Sequence, residues 1–214
     1  SNLGITLKEQ GRLDEAVSSY EQAIALKPDY AEAHYNLGNT LQDLARLEKA
    51  VISYKQAIAL KPNYAEAYYN LGVSLKELGS LDAVEASYTQ AIALRPDYAE
   101  AHNNLGVALQ GLGKLDEAEE SYRQAITLEP DYVEAHYNLG NTLQALGRSD
   151  EAEESYRHAI ALKPDYSEAY NNLGGTLKAL GRLDEAEESC RHAIALKPDY
   201  YKAHNNLGNT LQIL

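Results

Sequence analysis

"HYNLGNTLQ", His34 to Gln42, returns letter for letter at His136 to Gln144, and a looser copy, "HNNLGNTLQ", runs from His204 to Gln212. Its core, Asn-Leu-Gly, begins at Asn2, Asn36, Asn70, Asn104, Asn138, Asn172 and Asn206, always 34 residues apart. The prolines Pro28, Pro62, Pro96, Pro130, Pro164 and Pro198 keep the same step, and the chain has no others. A fixed period of this length means an array of small stacked units in place of one globular core. The chain therefore reads as a single array over 1-214: a partial unit 1-30, full units 31-64, 65-98, 99-132, 133-166 and 167-200, and a partial unit 201-214.

Between two prolines the apolar residues recur at three and four, which argues helix. Two helices fit each unit. Asp29 with Glu32 three residues on reads as a capping box at the start of the first helix, repeated at Asn63/Glu66, Asp97/Glu100, Asp131/Glu134 and Asp165/Glu168. Gly11, Gly79, Gly113, Gly147 and Gly181, with Ala45 as the exception, mark the turn between the helices. The second helix then runs about 14 residues, roughly 21 Å, before the next proline ends it. Ala33, Leu37, Leu41 and Leu44 form one apolar stripe, and Leu47, Ala50, Tyr54, Ala57, Ile58 and Leu60 form its counterpart. Gly38 and Ala50 are expected where the two backbones come closest. One pair cannot bury both stripes, so units must stack through nearest-neighbour contacts.

The chain resembles the tetratricopeptide repeats in its 34-residue period, the Leu37-Gly38 pair, the alanine and aromatic of the second helix (Ala50, Tyr54, Ala57) and the terminal Pro62. The resemblance covers every residue. Where that family usually carries tryptophan, this chain has His34, Tyr68, His102, His136, Tyr170 and His204. The resemblance implies an all-α fold, a right-handed α-solenoid of stacked 34-residue helix-turn-helix units whose first helices line the concave side.

Composition narrows the function. Nineteen basic residues stand against 32 acidic ones, a net charge of −13, so neither nucleic acid nor an anionic membrane is an expected partner. The acids gather at the start of the second helices, as in "LDEAEESY" from Leu115, where they favour the helix N-terminus and read as a solvated outer face. No apolar run is long enough to span a membrane, and no secretory signal opens the chain. Ser1 and Leu214 each read as lying inside a first helix, so the chain is expected to be a piece of a longer array. Cys190 stands where other units have tyrosine and is expected in the core; with no second cysteine there is no internal disulfide, which suits a cytoplasmic setting.

Motifs for nucleotide binding, metalloprotease chemistry and a nucleophile elbow are missing, so neither an enzyme nor a cofactor is expected. His158 and His192, on successive second helices, would place two imidazoles near each other without a third ligand, so no metal site is expected.

The face opposite the leucine stripe remains. In the unit from Ala31 it carries Glu32, Tyr35, Asn36, Asn39, Gln42 and Asp43, spaced at three and four on one side. Asn36 has an asparagine equivalent in every copy, and a carboxamide offers an acceptor and a donor side by side, as a peptide unit does. The expected peptide-binding residues are Asn2, Asn36, Asn70, Asn104, Asn138, Asn172 and Asn206, with Tyr35, Tyr69, Tyr137, Asn39 and Asn141 beside them. The alternative is that each asparagine bonds the backbone of a neighbouring unit. Glu9, Glu32, Asp43, Glu66, Glu77 and Glu100 outweigh Lys8 and Lys76, so this side is expected to be acidic towards the N-terminus.

An asparagine column of this kind resembles the repeat superhelix of O-linked N-acetylglucosamine transferase, which implies capture of extended polypeptide by its backbone; that enzyme's catalytic domain has no counterpart here. The clamp by which chaperone adaptors hold a terminal carboxylate fits poorly, because the flanking lysines are replaced by Tyr35, Glu100 and Asn104. Three functions are therefore expected in order: a scaffold binding protein or peptide ligands in extended conformation, a solenoid that self-associates end to end, and the substrate-recruiting part of a larger transferase.

Overall fold

The computed structural model describes residues 2–214. The expectation that Ser1 lies inside a first helix falls outside these residues. Among the described residues there are thirteen helices and no strand: α1 (Asn2–Glu9), α2 (Leu13–Leu26), α3 (Ala31–Asp43), α4 (Leu47–Leu60), α5 (Ala65–Glu77), α6 (Leu81–Leu94), α7 (Ala99–Gly111), α8 (Leu115–Leu128), α9 (Val133–Ala145), α10 (Ser149–Leu162), α11 (Ser167–Ala179), α12 (Leu183–Leu196) and α13 (Tyr201–Leu211). None is long and apolar enough to cross a membrane.

Two compact units divide the chain, Ser1–Ala108 and Leu109–Leu214. In the first, α3 pairs with α4 and α5 with α6, and the second helices α2 and α4 pack on the first helices α3 and α5. In the second, α9 pairs with α10 and α11 with α12, while α8, α10 and α12 pack on α9, α11 and α13. This is an all-α solenoid built from stacked helix pairs.

The apolar stripes make the core as their spacing requires. Ala33, Leu37 and Leu41 are buried against Ala50, Tyr54 and Ala57. Gly38 is small for a different reason from the expected backbone approach: a Cβ there would stand 2.6 Å from Tyr54 Cε1, so the glycine makes room for the ring. Where Cys190 replaces that tyrosine, a Cβ at Gly174 would meet Cys190 Sγ at 2.6 Å and the Ala186 carbonyl at 3.2 Å. The shorter side chain lets the backbone in.

The mid-unit turns behave as read. The five turn glycines have φ between +74° and +77°, and Ala45 is held at φ 54° in the same left-handed region. The capping boxes do not form at α3, α5, α9 and α11. Helix α3 begins at Ala31 behind Tyr30, without a side-chain cap, so Asp29 stands one residue too early to reach the free N–H groups. The turn Pro62-Asn63-Tyr64 is closed by other means: Tyr64 N donates to the Lys61 carbonyl at 3.2 Å, and the Lys61 ammonium lies 4.3 Å from the centre of the Tyr64 ring.

The acidic starts of the second helices are not simply solvated. In the second unit Arg148, just ahead of α10, bridges Glu119 of α8 at 2.6 Å and Glu151 of α10 at 2.5 Å, and Arg123 reaches the same two acids at 2.9 and 3.2 Å. Arg182, Arg157, Glu153 and Glu185 repeat this quartet between α10 and α12. The Glu119 and Glu153 side chains are only 13% and 12% exposed, because neighbouring arginines cover them.

The histidines fasten turns and pack on rings. His34, His102, His136 and His204 each donate Nε2–H to the carbonyl of the proline six residues earlier, at 2.9 to 3.0 Å. His158 does not meet His192. It lies 5.3 Å from His136 of its own helix pair, and His192 stacks on Tyr170 at 5.3 Å, because the position that often holds tryptophan in such repeats offers each a ring. Among the described residues no group of three or more His, Cys, Asp or Glu could hold a metal ion.

Candidate functional site

Each letter of "NLGNT" has a separate task on α3. Leu37 is core, Gly38 seats the Tyr54 ring, and the buried Thr40 donates Oγ1–H to the Asn36 carbonyl one turn back at 2.8 Å. Asn39 and Gln42 turn their side-chain oxygens to the Tyr54 hydroxyl, each at 2.8 Å. From α5, Asn70 donates one amide hydrogen to Asn39 Oδ1 at 2.9 Å and the other to the Tyr35 hydroxyl at 3.0 Å.

The second unit repeats the arrangement with its own residues. Tyr156 donates to Asn141 Oδ1 at 2.8 Å or Gln144 Oε1 at 3.1 Å, and Asn172 donates to Asn141 Oδ1 at 2.8 Å and to the Tyr137 hydroxyl at 3.2 Å. Three helices are thereby joined through one asparagine oxygen in each unit. At Asn70 and Asn172 both amide hydrogens are taken by side chains of the preceding pair, neither by neighbouring backbone; at Asn70 the remaining polar group is Oδ1, whereas Asn172 Oδ1 accepts from Asn171 Nδ2 at 3.0 Å and keeps one further lone pair.

Tyr35, Tyr69 and Tyr137 stand between two other rings. Tyr35 lies 6.0 Å from Tyr54 and 4.7 Å from Tyr64; Tyr69 lies 5.7 Å from Tyr88 and 4.8 Å from Tyr98; Tyr137 lies 6.1 Å from Tyr156 and 4.8 Å from Tyr166. Loss of water around the phenols pushes Tyr64 and Tyr98 up to about 12, with a neighbouring tyrosine adding to it, and burial raises Tyr69 as well. These hydroxyls stay neutral, able to donate and accept.

The set is incomplete elsewhere. Asn104 donates to the Tyr69 hydroxyl at 2.9 Å, but Val73 stands where Asn39 would accept and Lys76 where Gln42 would. Consequently the Tyr88 hydroxyl is buried without a partner, a defect worth about 1–3 kcal/mol. Asn206 donates to Asn171 Oδ1 at 2.9 Å, and Gly175 holds the place of Asn39; a Cβ there would lie 3.9 Å from Asn206 Nδ2. Asn36 and Asn138 are half-buried, and Asn2 is exposed on α1.

Charges on this side are mostly tied down. Lys8 pairs with Asp43 at 3.0 Å, Lys61 with Glu32 at 3.9 Å and Arg95 with Glu66. Lys61 and Arg95 follow second helices and escape a count made on first helices alone, so the expected acidity is reduced to Glu9, Glu77 and Glu100 against Lys76. A polar recess of about 300 Å³ is lined by Lys8, Asn39, Gln42, Asp43 and Asn70 in the first unit, and one of about 340 Å³ by Asn171, Tyr201, Lys202, Asn205 and Asn206 in the second.

The TPR repeat family pattern matches residues 4–44, 43–79, 75–113 and 111–147, and a second tetratricopeptide repeat pattern matches 137–201. The chain belongs to the tetratricopeptide repeat family. Solved structures of similar fold include YrrB, a tetratricopeptide repeat protein described as having an unusual peptide-binding site, at 24% identity and a TM-score of 0.79 over 88% of this chain and 97% of YrrB. MamA follows at 27% identity and 0.74 over 78% and 98%, and PilF of Pseudomonas aeruginosa at 18% identity and 0.82 over 97% and 95%. No curated protein matches it.

Proposed function

We propose that this tetratricopeptide array is a protein–protein interaction scaffold that binds extended peptide segments through their backbone, along the asparagines of its first helices. One observation carries this reading: the Asn70 amide is held by two hydrogen bonds, so it presents a fixed Oδ1 acceptor that a peptide N–H can reach without further ordering, and Asn172, held the same way, keeps one Oδ1 lone pair beside the bond it accepts from Asn171. Neighbouring packed helices stand about 10 Å apart and an extended chain advances ~3.3 Å per residue, so one asparagine meets roughly every third peptide unit. Contacts of this kind ignore side chains and suit a scaffold with several clients.

Peptides selected from a displayed random library would be titrated against the 15N-labelled chain. The side-chain amide signals of Asn70 and Asn172 should shift on binding. If no peptide is selected, or the shifts fall on Arg157, Ser189 and His192 of the opposite face, the reading is wrong.

A further inference from the structure

The ladder has two kinds of rung, and the difference lies at the residue 31 positions before each asparagine. Asn70 and Asn172 find Asn39 and Asn141 there and use both amide hydrogens. Asn104 finds Val73, which has no acceptor to offer, while its bond to Tyr69 persists at 2.9 Å. Val107 follows one turn after Asn104 on α7, and both valines are half-buried. Val73 packs against the hydrophobic core of the first unit, but its polar cost is plain. It removes the acceptor that satisfies Tyr54 in the preceding pair and leaves the Tyr88 hydroxyl buried and alone. The rule is kept at Asn39 and Asn141 and broken at Val73, Val107 and Gly175, and at Val73 the break strands a buried hydroxyl, the mark of a place shaped by function.

We infer that Asn104, with Val73 and Val107, is a specificity-determining rung of the groove, which holds one peptide unit by both its N–H and its C=O and selects an apolar side chain beside it. This rests on the proposed peptide-binding reading. At a closed rung the carboxamide can only accept, so it supplies one bond per peptide unit. At Asn104 the hydrogen left by Val73 can donate to the peptide carbonyl while Oδ1 accepts the N–H, the paired geometry of two amides. The valines then make the adjoining surface apolar, where α3 presents Asn39 in a polar recess. The ligand class is an extended segment carrying a valine-, leucine- or isoleucine-like residue at one fixed register, with the remaining positions read through backbone alone.

The deciding variant is Val73→Asn. It supplies the acceptor that closes the rung, and it places an oxygen where Tyr88 lacks one, so it should fold at least as well as the parent and melt higher. The probe is a displayed library of random peptides of about twelve residues, roughly 40 Å when extended. Peptides selected on the parent chain should share one apolar position and lose ten-fold or more in affinity for V73N. Peptides that bind V73N as tightly as the parent, or that share no apolar position, overturn the inference and leave the scaffold reading standing. Failure to select any peptide that shifts the asparagine amides overturns the scaffold reading, and this rung with it.

Discussion

Asn39 Oδ1 takes the Asn70 amide at 2.9 Å and the Tyr54 hydroxyl at 2.8 Å, so one side-chain oxygen holds α3, α4 and α5 together. The asparagines are therefore structural parts of the helix stack. Asn70→Ala removes two hydrogen bonds and strands the Tyr35 hydroxyl, which should destabilise by about 1–3 kcal/mol. Asn172→Ala should cost at least as much, because it removes the two corresponding bonds and also the one that Asn172 Oδ1 accepts from Asn171. Urea denaturation gives the answer: midpoints equal to that of the parent would show that these bonds are replaced by water without loss.

Tyrosine to phenylalanine should separate satisfied hydroxyls from the stranded one. Tyr54→Phe loses a bond to Asn39 or Gln42 and leaves both oxygens facing a ring edge, for a loss of about 1–2 kcal/mol. Tyr88→Phe removes a buried hydroxyl that has no partner and should be neutral or stabilising by up to about 1 kcal/mol. Thermal melts of the two variants should move apart. If both fall equally, Tyr88 has an acceptor in solution.

Glycine to alanine should have opposite signs at Gly38 and Gly208. A methyl at Gly38 would stand 2.6 Å from the Tyr54 ring, and the packing must shift at a cost of about 1–3 kcal/mol. Nothing lies within 4 Å of a methyl at Gly208, so alanine there should only gain helix propensity, roughly 0.5–1 kcal/mol. Chemical denaturation of both variants checks the sign; a stabilised Gly38→Ala would mean that the ring yields freely.

The arginine–glutamate quartets set an acid limit. The hydrogen bond from Arg182 holds the Glu185 carboxyl below its ordinary value of 4.5, and Arg148 does so for Glu151. A carboxylate with a lowered folded value contributes stability that is complete above its unfolded value and disappears as pH falls through the folded one. The melting temperature should therefore decline below about pH 4.5. The double variant Arg148→Gln, Arg182→Gln should start lower at neutral pH and decline less on acidification, and 1 M salt should narrow the gap. Parallel pH profiles for parent and variant would exclude the quartets as the cause.

The fold was legible because its signals are local or strictly periodic. The 34-residue step fixes the pairs, the Leu37 and Tyr54 stripes fix the faces, and Gly79 or Gly147 marks a turn that needs a positive φ. Asp29 misled because a capping residue one place too early looks the same in the sequence as a true cap. His158 was matched to His192 by helix order, whereas the ring that receives it, His136, lies 22 residues back across a turn. Half of the candidate site was hidden for a related reason. The asparagine column is visible at one period, but the partners that use up its hydrogens sit 31 and 35 residues away, offsets that no single-helix pattern displays. Comparing copies could have found them: Asn and Gln precede Tyr54 and Tyr156, while Gly175 and Lys178 precede Cys190, which has no hydroxyl to satisfy.

The hydrogen-bond set of Tyr35, Asn39, Tyr54 and Asn70 and that of Tyr137, Asn141, Tyr156 and Asn172 are the same parts three 34-residue periods apart. Parts that match in this way are interchangeable. Joining Gly38 directly to Asn141 would give Tyr35 the Asn172 amide and Asn141 the Tyr156 hydroxyl, so three whole periods could leave the gene without any surviving helix meeting an unfamiliar neighbour. Array length can then change by recombination between near-identical segments while each junction keeps its hydrogen-bond set, and the number of units becomes a heritable quantity separate from the stability of any one repeat.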